Sequence, residues 1–505
     1  MNFFTFIAFS LKKRAFYPWL FALFPAIFLY SQNLEEAPIN VIWLPLALSL
    51  ALALLVWLLA WSAARQGGKA SLITLLFCVM FFTYGHIGFR LGFPPWMVFP
   101  WAAVFLCVAV RVLLTRRDLS GWIPGVNIFA AFLIISTGAQ IAWARTHPSG
   151  NAPSLTQVDE DARLSAFKPD LRNVPDIYYL ILDRYANEKV LKQEFGFDNH
   201  EFLDFLRAKG FYVADDSRCN YPLTHMSLAS SLNMDYIDRA QGERAVGPSF
   251  VFRLMKNSRV LRLLKSLGYA SIHLGSWYEG TGFNPYADLN LAGSGILRYF
   301  NDFFLKFVGT TALQPLSLEH LFRPRQRVRS LQQLAELERM PSRKGPKFVF
   351  AHLLITHPPN VFGPNGEESH ARGTGKGFTY IDQVRYANTR LSRLIDILIS
   401  DSSAPPIIIL QSDEGPKPGG VELSKGKRRR LRGARTETSE QKQVHHPILN
   451  AMDFPGVDTK VFYASISPVN TFRVLFNLYF SAHYGLLPDR TCDPAEEAGF
   501  HDPIE

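Results

Sequence analysis

The chain has 505 residues, enough for more than one domain, with 53 Lys and Arg against 43 Asp and Glu and a formal net charge of +10. Its mean hydropathy of +0.04 averages two unlike halves, which excludes a single uniform soluble domain. Up to about residue 145 the chain is a series of apolar runs, and beyond it the composition is that of a soluble α/β protein.

The apolar runs are 15–31, 40–62, 71–89, 95–114 and 122–143. Each suits a helix crossing a hydrocarbon core, which takes about 20 residues. The run LPLALSLALALLVWLLAW has no polar face, so it cannot be an amphipathic surface helix. Trp43, Trp61, Trp96, Trp101, Trp122 and Trp143 cluster near run ends, as an interfacial belt would. Lys12, Lys13, Arg14, Arg65, Lys69, Arg116 and Arg117 fall in alternate loops, whereas the opposite loops hold Glu35, Glu36 and only Arg90. The positive-inside rule then puts the N-terminus in the cytoplasm. Five crossings place everything after residue 145 outside. The domain plan is 1–145 transmembrane, 146–174 linker, and 175–505 an exoplasmic α/β domain.

Past the linker, VPDIYYLILDRYA predicts a buried strand ending in Asp183. NHEFLDFLRAKGF predicts a helix stopped by Gly210. LLKSLGYASIHLGS reads as helix, glycine, strand, and KFVFAHLLITHPPN as another buried strand. YIDQVRYANTRLSRLIDILIS is a long amphipathic helix, and PPIIILQSDEGP a strand ending on Asp413-Glu414. Strands alternating with helices predict a mainly parallel sheet covered on both faces. The basic run 425–435, KGKRRRLRGAR, is a solvated loop or a contact for anionic lipid headgroups or an anionic polymer. An exoplasmic position excludes nucleic acid as its partner. Cys219 and Cys492 offer a disulfide to an oxidising compartment, the alternative being two thiols.

Ligands of open α/β sheets sit beyond the C-terminal strand ends. Asp183, Asp413 and Glu414 gathered at one edge would repel unless a divalent cation lay between them. An all-oxygen set favours Mg or Mn, and one imidazole widens the choice to Zn. The hydroxyl-rich segment 215–236 supplies nucleophile candidates. Thr224 after Pro222 suits a helix start, while Ser227, Ser230 and Ser231 suit the helix itself. His357, before Pro358-Pro359, is placed to hold a phosphate or protonate a leaving group. His352, five residues earlier, reads as a core histidine, because that spacing does not share a strand face. His445 and His446 form another polar turn that suits a metal shell or the substrate.

The order of these motifs resembles the alkaline phosphatase superfamily in its sulfatase-like branch. Five spans plus an outer catalytic domain resemble the lipoteichoic acid synthase and phosphoethanolamine transferase group. The resemblance implies Asp183 as the first acidic metal ligand and Thr224 as both nucleophile and ligand. It implies His357 at the phospho-substrate, where His446 is placed as well, and Asp413 with Glu414 on the metal, where the group has Asp-His-Gly. The formylglycine signature of true sulfatases is missing, since Cys219 is followed by Asn-Tyr-Pro-Leu-Thr. The expected activity is transfer of a phospho-headgroup from a membrane lipid donor to an envelope glycan or lipid acceptor, through a phospho-threonine. Its cofactor is one divalent metal, Mn or Mg before Zn. Its place is a bacterial-type inner or plasma membrane. The alternatives are a phosphodiester hydrolase with the same residues and a catalytically silent scaffold that binds a glycan or a partner.

Overall fold

The computed structural model describes residues 14–34, 39–118, 120–146, 161–162, 164, 174–237, 248–276, 278–291, 302–316, 323–368, 377–417 and 439–492. The basic run 425–435 lies outside them, as does most of the expected linker. The chain divides into two compact units. One is Met1–Gly150 with Ser294–Phe322, and the other is Asn151–Gly293 with Arg323–Glu505.

The first unit holds helices α1 (Tyr17–Gln32), α2 (Trp43–Ala64), α3 (Gly67–Leu91), α4 (Val98–Leu114) and α5 (Ile123–Thr146). Each lies on one of the apolar runs. Four segments, Ile39–Ala64, Gly67–Leu91, Pro95–Leu114 and Ile123–Ala144, are long and apolar enough to cross a membrane. Of the five expected spans four meet that criterion, and the run 15–31 carries a shorter helix. Helix α1 has 16 residues with Pro25 inside it, about 24 Å of rise, less than a hydrocarbon core. Outward residues such as Leu59, Phe132 and Ile135 are more than half exposed, which suits a lipid-facing surface.

A segment distant in sequence completes this unit. Helix α11 (Asp302–Gly309) buries Phe303 and Phe307 with Ala22, Ala26, Tyr30 and Phe82. Backbone bonds fix it, from Gly85 N–H to the Thr310 carbonyl (3.0 Å) and from Ala312 N–H to the Phe81 carbonyl (2.8 Å). Gly85 has no alternative here. A Cβ at this position would lie 2.0 Å from the Gly309 carbonyl oxygen.

The second unit contains a seven-stranded sheet in the order β2-β7-β6-β1-β5-β3-β4. Its strands are β1 (Ile177–Leu182), β2 (Tyr212–Val213), β3 (Ala270–Leu274), β4 (Leu289–Leu291), β5 (Lys347–Leu353), β6 (Ile407–Gln411) and β7 (Asn450–Asp453). Pairing is parallel from β6 through β1, β5 and β3 to β4. The sheet is mixed rather than parallel throughout, because β7 runs against both β6 and β2. Strand β1 shows why its run IYYLIL has no polar residue. Ile177, Tyr179 and Ile181 enter one core cluster, while Tyr178, Leu180 and Leu182 enter the other. Helices α8 (Thr224–Asn233) and α15 (Pro468–Phe480) supply the first cluster, and α13 (Tyr380–Asp401) the second.

Two register pairs position the site. Leu182 lies opposite Leu353, and Ile181 opposite Gln411. The residues after β1 and β6 and the end of β5 therefore share one edge, with central β1 flanked on both sides by parallel neighbours.

Gly85→Ala is expected to destabilise the first unit by about 1–3 kcal/mol, as overpacking against backbone does. Limited proteolysis of the detergent-solubilised protein, with cleavage rising within 302–316, checks it.

Candidate metal centre

Asp183 directly follows β1, and its N–H continues the ladder to the Leu353 carbonyl at 3.1 Å. Asp413 follows Ser412 beyond β6, and His352 is the penultimate residue of β5. Their side chains are at most 2% exposed. One ligand atom from each falls within 4.8 Å of the others. His352 Nε2 is 3.0 Å from Asp183 Oδ2 and 3.8 Å from Asp413 Oδ2. Yet His352 Nε2, Asp183 Oδ1 and Asp413 Oδ2 have no hydrogen-bond partner among the described residues. Buried polar atoms rarely go unsatisfied. Two carboxylates and an imidazole converging without aligned hydrogen bonds fit a divalent cation well.

The far side of the imidazole is fixed. His352 Nδ1 lies 2.8 Å from Thr281 Oγ1, which leaves Nε2 facing the carboxylates. Ser412 Oγ anchors the loop after β6 by donating to the Leu182 carbonyl at 2.6 Å.

Charge is balanced locally. Burial works to raise the Asp183 carboxyl, but His357, His352 and Arg184 hold it below the ordinary range. Burial, then Asp183, pushes Asp413 up to about 7. Burial opposes the charge on His352, but Asp183 and Asp413 raise it nonetheless. A proton and a divalent cation compete for these same atoms.

Glu414, expected among the ligands, turns elsewhere. Its Oε1 accepts from Arg184 Nε at 3.1 Å, and its Oε2 lies 3.5 Å from His445 Nε2. Burial would raise this carboxyl, but His445 and Arg184 hold it low. The converging trio takes its imidazole from His352 and not from the position after Asp413.

Thr224 is half-buried at the first position of α8, after extended Leu223. Its side chain is near enough to the Asp413 carboxyl to oppose the rise that burial and Asp183 impose there. Ser227, one turn on, donates to the Asp413 carbonyl at 2.7 Å and locks the helix to the strand end. His357 is close enough to Asp183 to help hold its carboxyl pKa down, while burial lowers the pKa of the imidazole itself. His446 is buried with its ring centroid 6.0 Å from that of His445, and its carbonyl accepts from Cys219 N–H at 2.9 Å. The imidazole that reaches Glu414 is that of His445. Cys219 and Cys492 are both buried, and Cys492 N–H donates to the Asn220 carbonyl at 2.8 Å.

Sequence reading set His352 apart because five residues separate it from His357. The spacing rule fails because β5 ends at Leu353 and the chain bends before His357. Arg184 gave no periodic signal at all.

The sulfatase family pattern matches residues 188–458. No curated protein matches the chain. Among solved structures it is similar to the C-terminal periplasmic domain of EptC from Escherichia coli, with 15% identity, 65% of this chain and 88% of that one covered, and a TM-score of 0.42. It is similar to the integral membrane lipooligosaccharide phosphoethanolamine transferase A from Neisseria meningitidis, with 11% identity, coverage of 92% and 95%, and a TM-score of 0.40. A sulfatase from Bacteroides thetaiotaomicron gives 11% identity, coverage of 65% and 75%, and a TM-score of 0.39.

His352→Gln and Asp413→Asn are each expected to weaken Mn binding by about 100-fold or more, beyond the loss typical of an outer-sphere change. Glu414→Gln is expected to leave one metal per chain. Metal analysis of the purified full-length protein after dialysis against Mn checks all three.

Proposed function

The chain belongs to the sulfatase family of the alkaline phosphatase superfamily, and on that premise we propose that it is a membrane-anchored transferase. It moves a phospho-headgroup from a lipid donor to a glycan or lipid acceptor in the cell envelope. Its N-terminus is cytoplasmic and its α/β unit exoplasmic. The observation that carries the reading is a buried cluster of Asp183, His352 and Asp413 at one sheet edge, with Thr224 at a helix start beside Asp413.

Asp183, His352 and Asp413 would hold the cation, with Thr224 beside it. Mn or Mg suits the two carboxylates, and the imidazole admits Zn. Such a cation supplies Lewis acidity toward phosphoryl oxygens and favours the ionised hydroxyl. The residues then divide the work. Thr224 Oγ forms a bond to phosphorus as the bond from phosphorus to the donor lipid oxygen breaks. The threonine proton leaves to solvent, since a carboxylate that holds the cation is not free to take it. His357 protonates the leaving oxygen. In the second step an acceptor hydroxyl bonds to phosphorus and gives its proton to His357, and Thr224 Oγ departs and regains a proton from solvent. Splitting one displacement into two lowers the barrier of each. His446 stays on the substrate side of this reading. Water in the acceptor's place would make the same residues a hydrolase.

Thr224→Ala is expected to cut turnover of a fluorescent phospholipid donor on the order of 10³-fold or more. Thr224→Ser is expected to retain measurable activity. Mass spectrometry of the wild type mixed with donor should show the headgroup phosphate on the Thr224 peptide. Full activity in Thr224→Ala would overturn the mechanism, and headgroup release with water but with no added acceptor would select the hydrolase.

A further inference from the structure

The mechanism above leaves Arg184 unused, although it directly follows a metal-ligand candidate. Four non-glycine residues among those described have positive φ: Arg65, Arg184, Met234 and Ser481. Three of them end helices as C-caps. Arg184, at φ 61°, ends no helix. A left-handed arginine is strained, and such strain persists only where the surroundings enforce it.

Here they enforce it from three directions. The Arg184 N–H donates to Asp413 Oδ1 at 3.3 Å. Its carbonyl accepts from the Tyr380 hydroxyl at 2.8 Å. Its Nε donates to Glu414 Oε1 at 3.1 Å and stands 3.7 Å from Asp183 Oδ1. The left-handed residue turns the chain back on itself, so that the side chain lies over the strand ends.

Both carboxylate contacts go through Nε. No hydrogen bond or ion pair engages its two terminal amino groups among the described residues. The side chain is 16% exposed, against 2% or less for the carboxylates around it, so it is the outermost charge of the group. The three carboxylates Asp183, Asp413 and Glu414 outnumber the one guanidinium, so the group gains from a divalent cation. A phosphoester anion arriving at the cation-loaded site would meet a planar donor pair matched to two phosphoryl oxygens.

We propose that Arg184 binds the non-bridging oxygens of the phosphoester and that Glu414 orients it. The proposal deepens the transferase reading and rests on it for the substrate class. It gives Glu414 a role that histidine at the same place could not fill, since a cationic or neutral ring would not hold a guanidinium.

The test is titration of inorganic phosphate into the Mn-loaded full-length protein by calorimetry, with metal content measured in parallel. Arg184→Gln is expected to keep its metal and lose at least tenfold in phosphate affinity. Glu414→Gln is expected to lose a smaller factor, and to add little on top of Arg184→Gln. Arg184→Gly, which the left-handed backbone accepts freely, guards against a folding defect and should match the Gln variant. Wild-type phosphate affinity in both Arg184 variants would overturn the proposal, as would a wild type that binds no phosphate. The two readings separate cleanly. Arg184 insensitivity with an inactive Thr224→Ala sinks the arginine alone. Arg184-dependent binding with a fully active Thr224→Ala sinks the threonine mechanism alone.

Discussion

Two buried carboxylates, Asp183 and Asp413, face one imidazole at the edge of the sheet, and their mutual repulsion is the constraint around which that edge is built. Each strand end near them answers it. Strand β5 brings His352 to 3.0 Å from Asp183. Helix α8 presents its N-terminus and the Thr224 hydroxyl to Asp413. The chain after β1 adopts a left-handed turn that places a guanidinium alongside. None of these would be stable alone in an apolar interior, where an unpaired charge is expensive. Together they make a site in which a cation is the remaining complement.

The parallel core of the sheet makes this gathering possible at little cost. Central β1 is bonded to both β5 and β6, so three strand ends lie side by side without any long loop having to reach inward. Ser412 and Ser227 then fix the loop after β6 to β1 and to α8 through short bonds. The ligands therefore ride on regular elements, whose positions are set by two hydrophobic clusters on opposite faces. Precision of that kind suits phosphoryl transfer, where an ångström of misplacement costs much of the rate.

Much of this was legible in the sequence, and the remainder was hidden for identifiable reasons. Asp183 and Asp413 stand out because each ends a run with no polar residue, and such a run marks a strand buried on both faces. Thr224 stands out because a proline and then a hydroxyl begin a helical stretch. The apolar runs of the first unit show through composition alone, although the shortness of α1 does not. His352 is different. It sits inside a strand whose every residue is buried, so burial pattern does not distinguish a ligand from a core side chain. Arg184 owes its place to a backbone angle that no arginine advertises. Glu414 was read by its neighbour's chemistry, whereas its partners Arg184 and His445 come from segments far away in sequence. Strand β7 reverses the sheet's direction within four residues, too few for any periodic signal.

The segment that carries Phe303 and Phe307 has a consequence for biogenesis. The core of the first unit around Tyr30 and Phe82 is filled by residues made well after the last apolar helix of that unit. During synthesis those helices enter the membrane with an open hydrophobic cleft. The cleft closes only when residues 302–309 have emerged and returned to it, with β3 and β4 already made. Insertion and completion of this unit are therefore separate events in time. A ribosome paused between them would leave an unfinished bundle exposed to quality-control proteases.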